Sequence, residues 1–411
     1  MKLALAHIAD ISNEIVQITG SKSEANRLLI LQALYPQIKI ENLSNSDDSQ
    51  VMQEAIASTV AEVDIHHAGT AMRFLTSYFA TRQGRKTLLT GSERMHQRPI
   101  KILVDALRDL GADVSYEKED GFPPILLNGK KITKNEVSLK ANVSSQYISS
   151  LMLVAPTLEN GLKIALEGKV TSVPYIEMTL SLLKEIGVEG SFENNIITIQ
   201  PLKETNAETI IVESDWSSAS YFYSLVALSK QAKITLGSYK ESSYQGDSSL
   251  AQIYSNLGVK TTYTNNTIIL EKVSETTKGS DAFNGVLDLA NSPDIAQTIA
   301  VTCFGLGVSC HMMGLHTLKI KETDRLEALK IEIEKLGGNV TITDTDLKLE
   351  ASTEIKAGVA IDTYQDHRMA MAFAPLALRT DLVINKAEVV SKSYPDFWKD
   401  MKQLGFKIDR I

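Results

Sequence analysis

Five times along the chain an amphipathic stretch runs into Leu or Ile and stops at glycine: LRDLGADVSY at Gly111, LLKEIGVEGSF at Gly187, YSNLGVKTTY at Gly258, IEKLGGNVTI at Gly337 and MKQLGFKI at Gly405. The steps between these glycines are 76, 71, 79 and 68 residues. Each stretch has helical periodicity, a glycine suited to a left-handed C-cap, and a β-rich run beyond it. A strand precedes four of them (TLLTGS, KIALEG, KITLGS, VSCHMMGL), and a second strand follows each of these (PILLNG, NIITIQP, NTIILEK, DLKLEA). The implied unit is strand, helix, glycine, hairpin.

A second helix belongs to each unit. Its start is marked by small, polar or charged residues: GSKSEANR at 20–27, AGTAMR at 68–73, SSQY at 144–147, DWSSASY at 215–221, NSPD at 291–294 and QDHRMA at 365–370. Measured from Lys22, Thr70, Ser145, Ser217, Pro293 and His367, the first step is 48 residues and the others run from 72 to 76. Six units follow, the first abbreviated. Each unit has apolar faces on helices and strands that neighbours must cover, so three units make a plausible domain and 411 residues make two. The expectation is an α/β chain of two similar domains. One lobe, residues 20–213, takes the first three units, and residues 1–19 with 214–411 form the other, so the chain crosses between them near Gly20 and Ser214.

Six helix N-termini each expose unpaired N–H groups and about half a positive charge, which favours phosphate or carboxylate. Simple capping by Ser, Thr and Asp would also account for such starts. It does not account for Lys22, Arg27, Arg73, His367 and Arg368 lying in or beside the same first turns. The chain as a whole is acidic, with 42 Lys plus Arg against 50 Asp plus Glu, so its field repels nucleic acid and acidic membranes. An anionic ligand therefore needs a local basic cluster. Gly20 to Arg27 lacks the upstream glycine of a nucleotide-binding P-loop but offers a Lys, two hydroxyls and an Arg one turn later, which suits a phosphorylated small molecule.

Cys303 and Cys310 form neither a CxxC pair nor a zinc pattern, and are expected to be buried thiols in a reducing compartment. The opening MKLALAHIAD is too short an apolar run for a signal peptide, and no apolar segment is long enough for a membrane span. The expected location is the cytoplasm, with no membrane and no nucleic-acid partner.

From Gly20 to Asp396 the chain closely resembles the 5-enolpyruvylshikimate-3-phosphate synthase family of enolpyruvyl transferases. The motifs, in order, are GSKSxxNR, AGTAMR, Arg98-Pro99-Ile100, SSQ, Ser172-Val-Pro-Tyr175, Asp215 with SSASY, Gln245-Gly-Asp247, Pro293-Asp294, Lys321-Glu-Thr-Asp-Arg325, Asp366-His-Arg-Met-Ala and Lys392. The resemblance implies two domains, each of three βαβαββ units, closing at a hinge over substrates. It implies transfer of the enolpyruvyl group of phosphoenolpyruvate to the 5-hydroxyl of shikimate 3-phosphate, with release of phosphate, on the route to chorismate and the aromatic amino acids. No metal, no cofactor and no covalent enzyme adduct are expected, and the chain is expected to act as a monomer.

By the same resemblance, Lys22, Ser23, Arg27, Ser144, Ser145, Gln146, Ser172, Tyr175, Asp294 and Lys321 hold shikimate 3-phosphate. Lys22, Gly69, Arg98, Gln146, Arg325, Arg368 and Lys392 hold phosphoenolpyruvate. Paired planar donors suit arginine to such groups, and Gly69 leaves room for close backbone approach. Asp294 is expected to take the proton of the attacking hydroxyl. Glu322 is the candidate for protonating C3 of the enol and later removing that proton, with burial on domain closure expected to offset the pull of its cationic neighbours; Lys22 is the rival donor. His367 is expected to orient phosphate or pair with Glu322. Asp47-Asp48 looks structural, and Met369, Met371 and Phe373 look like core.

Four residues depart from the family pattern. His67 stands in place of the usual Asn, Phe74 of Pro, Thr317 of a substrate-contacting Asn, and Trp216 of a small residue. A UDP-N-acetylglucosamine enolpyruvyl transferase would share the fold and donor, but usually carries a Cys in a mobile loop and lacks the SSQ phosphate site. A phosphometabolite sensor would have no reason to keep Asp294, Glu322, Lys22 and Lys392 together.

Overall fold

The computed structural model describes residues 1–140, 144–168, 170, 173–273, 285–352 and 354–411. The chain divides into two compact units, one of Gly20–Val212 and the other of Met1–Thr19 with Glu213–Ile411.

One sheet pattern recurs in both. In the Gly20–Val212 unit, Glu62–Asp64 runs parallel to Lys86–Thr90, which pairs antiparallel with Ile125–Asn128, which in turn pairs with Asp113–Tyr116. The strands Glu136–Lys140, Leu162–Glu167, Ile196–Ile199 and Gly190–Glu193 repeat that order. A parallel first pair needs a crossover, supplied by the helices Gly69–Ala80 and Ser145–Val154, while the antiparallel pair closes through a hairpin. Among the described residues the abbreviated unit keeps the parallel pair, Thr209–Ile211 with Lys39–Glu41, and lacks the hairpin. Its helices are Lys22–Leu34 and Asp47–Ala57.

In the other unit the same four-stranded order occurs three times, and residues from the start of the chain complete two of the sheets. Glu14–Val16 is the parallel first strand beside Lys233–Gly237. Lys2–Leu5 inserts between Leu382–Asn385 and Ile408–Arg410, antiparallel to both. The third sheet is built wholly from Val286–Asp288, Cys310–Met313, Leu347–Leu349 and Val340–Ile342.

The five glycines are where the helices end: Gly111, Gly187, Gly258, Gly337 and Gly405 all have φ between 83° and 104°. Only glycine adopts that conformation without strain, and it turns the chain into the hairpin that follows. The six polar starts also fall at helix starts, with Lys22, Gly69, Ser145, Trp216, Pro293 and His367 as first residues.

These first helices are the core. Gly69–Ala80, Trp216–Leu228 and His367–Phe373 are buried along their whole length, so Met369, Met371 and Phe373 pack inside as expected. A helix buried on every side has no outlet for polar side chains, and its hydroxyls must pair across helix contacts. Ser220 meets Thr298 at 2.9 Å and Thr302 donates to Ser224 at 2.7 Å. In the other unit Ser150 donates to Ser77 at 2.6 Å. Cys303 and Cys310 are buried free thiols. Among the described residues no helix is long and apolar enough to cross a membrane.

Candidate functional site

The first-helix starts of each unit carry the charged residues, and each unit gathers its own cluster. In Gly20–Val212, Ser21 precedes Lys22–Leu34 without a side-chain cap. Lys22 Nζ lies 3.6 Å from Asp48 Oδ2, and the other oxygen of this buried carboxylate makes no hydrogen bond among the described residues. Asp48 is thus within ion-pair distance of a predicted ligand residue.

Arg27, one turn on, points into the protein. It donates to Thr179 Oγ1 at 2.8 Å, Ser149 Oγ at 2.9 Å and the Ser23 carbonyl at 2.8 Å. Its guanidinium lies over the rings of Phe74 and Tyr175, 5.4 and 5.7 Å from their centroids. Burial brings its pKa down to about 10. Phe74, unexpected for the family, is therefore the floor under Arg27.

The helix Gly69–Ala80 also starts without a side-chain cap. A methyl group at Gly69 would fall 2.5 Å from Arg98 Nη1, so glycine lets that guanidinium come against the helix start. Arg73 was read from the sequence only as a first-turn cation. Its Nη1 donates to the Gly69 carbonyl at 3.1 Å and its Nη2 to the Pro99 carbonyl at 3.3 Å, tying the helix to the segment that carries Arg98. Gln146 donates to Thr70 Oγ1 at 3.2 Å, and Ser144 accepts from the Gln146 N–H as the cap of Ser145–Val154. Ser145 is buried in that first turn. Ser172 lies outside the described residues. A cavity of about 470 Å³ lined by Asp47, Asp48, Glu54, His66, His67 and Ser92 adjoins this region, which places His67 on its wall.

In the other unit the cluster is denser. Arg325, only 2 % exposed, donates through Nε to Asp366 at 2.6 Å, through Nη1 to Asp294 at 2.8 Å and through Nη2 to Glu322 at 2.9 Å. Lys392 donates to the other Glu322 oxygen at 2.6 Å. Lys321 lies 3.5 Å from Asp294 Oδ1, and Arg368 Nη2 lies 3.5 Å from Asp294 Oδ2 while its Nη1 donates to the Asp294 carbonyl at 3.0 Å. Local sequence sets the stage: Asp366 caps His367–Phe373 through the Arg368 N–H, and Asp324 caps Arg325–Lys335.

Burial raises the pKa values of Asp294 and Glu322, but surrounding cations outweigh it. Asp294 is held well below the carboxylate range by Lys321, Arg368 and Arg325, and Glu322 by Lys392, Arg325 and His367. In this arrangement two cations bind the Glu322 oxygens directly and hold the carboxylate in its ionised form. His367 affects Glu322 through its charge and lies 3.6 Å from Asp366. The expected basic cluster is here an interleaved set of cations and carboxylates, since a buried cation without a counter-charge is costly.

Of the two remaining departures, Trp216 has a local account and Thr317 has none. Trp216 is fully buried, and its indole donates to Glu213 at 2.7 Å, which satisfies the one polar atom of the larger side chain. Thr317 presents a buried hydroxyl with no hydrogen-bond partner among the described residues. Sequence reasoning missed Asp48, Thr70, Ser217 and Asp366 as partners of the charged groups. Only the last had a usable signal, an Asp directly before a helix that opens with His-Arg.

Comparison with known proteins agrees with these features. Residues 53–401 match the model of a family described as EPSP synthase (3-phosphoshikimate 1-carboxyvinyltransferase). A 3-phosphoshikimate 1-carboxyvinyltransferase of Bacteroides fragilis (strain YCH46) is 46% identical over 397 residues, covering 96% of this chain and 95% of that protein. One of Marinomonas sp. (strain MWYL1) is 34% identical, covering 94% and 96%. The fold is that of an EPSP synthase from Acinetobacter baumannii, with a TM-score of 0.80 at 18% identity over 100% of both chains. It is shared by the enolpyruvyl transferase NikO from Streptomyces tendae, with a TM-score of 0.73 at 15% identity over 99% of this chain and 98% of that one. The chain belongs to the EPSP synthase (3-phosphoshikimate 1-carboxyvinyltransferase) family.

Proposed function

We propose that the chain transfers the enolpyruvyl group of phosphoenolpyruvate to the 5-hydroxyl of shikimate 3-phosphate, releasing phosphate, as a step toward chorismate and the aromatic amino acids. The observation that carries this reading is the Asp294–Arg325–Glu322–Lys392 chain of contacts. It puts an ionised carboxylate and a second carboxylate among cations that an incoming anion would compete for.

Asp294 accepts the proton of the 5-hydroxyl as its oxygen attacks C2 of the enol, and C3 gains a proton to become a methyl group. In the tetrahedral adduct C2 bears the carboxylate, the phosphate, the new ether oxygen and that methyl. Loss of one methyl proton with expulsion of phosphate restores the double bond. Glu322 is the group proposed to give and take the C3 proton, with Lys22 as the alternative donor. When the phosphate and carboxylate of phosphoenolpyruvate engage Lys392 and Arg325, Glu322 loses the hydrogen bonds that keep it acidic, and burial then raises its pKa.

The other assignments follow the chemistry of each unit. Arg325, Arg368 and Lys392 are assigned to phosphoenolpyruvate, with Asp294 and Lys321 assigned to shikimate 3-phosphate. Lys22 is assigned to both substrates, Gly69, Arg98 and Gln146 to phosphoenolpyruvate, and Ser23, Ser144, Ser145, Gln146, Ser172 and Tyr175 to shikimate 3-phosphate. Arg27 acts through Ser23 and Tyr175, because its donors are turned toward the protein.

Phosphate release tests this reading against the nucleotide-sugar enzyme and the sensor. With phosphoenolpyruvate present, shikimate 3-phosphate is expected to support turnover and UDP-N-acetylglucosamine is not. Release with only the sugar nucleotide, or with neither acceptor, would overturn the assignment.

A further inference from the structure

The motif Gln245-Gly-Asp247 has no part in the reaction as derived above, yet it reaches the charged cluster. Asp247 is buried in the turn Gly246–Ser249 and accepts a hydrogen bond from Ser217 Oγ in the first turn of Trp216–Leu228. Ser217 Oγ in turn accepts from Arg368 Nη2 at 3.2 Å, while Arg368 Nη1 donates to the Asp294 carbonyl at 3.0 Å. A hydroxyl has one proton. With that proton given to Asp247, the lone pairs of Ser217 face Arg368 and fix one edge of the guanidinium, leaving the other held by Asp294.

We propose that Asp247 is a positioning residue for the anion-binding arginine: through Ser217 it sets the plane of the Arg368 guanidinium against Asp294. The proposal rests on the reading of Arg368 as a phosphoenolpyruvate ligand. The charged groups facing Asp247 are Asp294, Arg368 and Asp215. Burial and the nearby Asp294 carboxylate push its pKa up to about 7 against the pull of Arg368 and Ser217, so the structure keeps this acid where it is costly to ionise. A carboxyl placed only for packing would be served as well by an apolar side chain of similar size.

The test is a set of variants read by steady-state kinetics for both substrates. Ser217→Ala removes the acceptor for Arg368 and is expected to raise KM for phosphoenolpyruvate about tenfold, the size of one charged hydrogen bond, while KM for shikimate 3-phosphate changes less than about twofold. Ser217→Thr keeps the hydroxyl and restores KM to within about threefold of the unmodified protein. Asp247→Asn is expected to raise KM for phosphoenolpyruvate about fivefold, and the double variant Ser217→Ala/Asp247→Asn to be no worse than Ser217→Ala alone, because both act through one contact. Multiplying effects in the double variant, an equal rise in both KM values, or failure of threonine to rescue would overturn the proposal. If Asp247→Asn does not fold, the Ser217→Ala and Ser217→Thr pair decides alone. If the unmodified protein releases no phosphate, the functional reading fails separately. Calorimetric titration with phosphoenolpyruvate then decides: the same fold-changes in Kd support the coupling, and an unchanged Kd excludes it.

Discussion

Replacing Arg325 with methionine is expected to lower the stability of its unit by about 3–5 kcal/mol near neutral pH, the range for breaking a buried ion pair from one side. Its guanidinium is shared by Asp366, Asp294 and Glu322. After the substitution Glu322 keeps Lys392, and Asp294 keeps Lys321 and Arg368. Asp366, fully buried, keeps the Arg368 N–H and His367 3.6 Å away, but loses its strongest partner.

The loss should depend on pH in a definite direction. Asp294 and Glu322 have folded pKa values held below the ordinary range, so they contribute stability that is present above that range and disappears as pH falls through their folded values. Without Arg325 those values rise, and protonation relieves the carboxylates that have lost a partner. The gap between unmodified protein and variant should therefore narrow as pH falls below about 4.5, into the ordinary carboxylate range and lower. Asp247, whose pKa is raised, contributes with the opposite sign in both proteins and largely cancels in the difference. Urea unfolding followed by tryptophan fluorescence suits the measurement, because Trp216 and Trp398 both lie in this unit. A gap below about 1 kcal/mol, or one that widens in acid, would contradict the account of Arg325.

Asp294→Ala carries the second large effect. Turnover is expected to fall by about 10²-fold or more, the scale of a lost general base, while binding of either substrate stays within about tenfold. The geometry adds a sign for phosphoenolpyruvate. Removing the carboxylate frees Lys321, Arg325 and Arg368 from an internal anion, so affinity for this anionic substrate should hold or rise. Unchanged turnover would remove Asp294 from the proton transfer, and a large rise in the Kd of phosphoenolpyruvate would contradict the charge balance drawn here.

The parts of this protein legible in its sequence are those set by local chemistry. Glycine after a helical stretch demands a left-handed turn, and the five glycines from Gly111 to Gly405 have it. Polar residues before an apolar run mark helix starts, and all six are starts. What could not be read is set by contacts between distant residues. The insertion of Lys2–Leu5 between Leu382–Asn385 and Ile408–Arg410 leaves no local mark, because Lys2–Leu5 looks like any short alternating strand. Asp48 was assigned to structure because nothing nearby in sequence shows Lys22 beside it. The charge state of Glu322 is the same kind of case. Its neighbours in sequence suggest competition between burial and charge, and the approach of Lys392, 70 residues away, joins Arg325 in tipping the outcome toward charge.

The most direct measurement of the central claim is the fate of labelled carbon. Mixing the protein with phosphoenolpyruvate carrying ¹³C at C2 and with shikimate 3-phosphate, and following the label by NMR and the protein by mass spectrometry, should place the label in an enol ether at the 5-oxygen of the shikimate ring. One phosphate should be released per label transferred and none of the label kept on the protein. Label appearing as pyruvate, or bound covalently to the chain, would contradict the account.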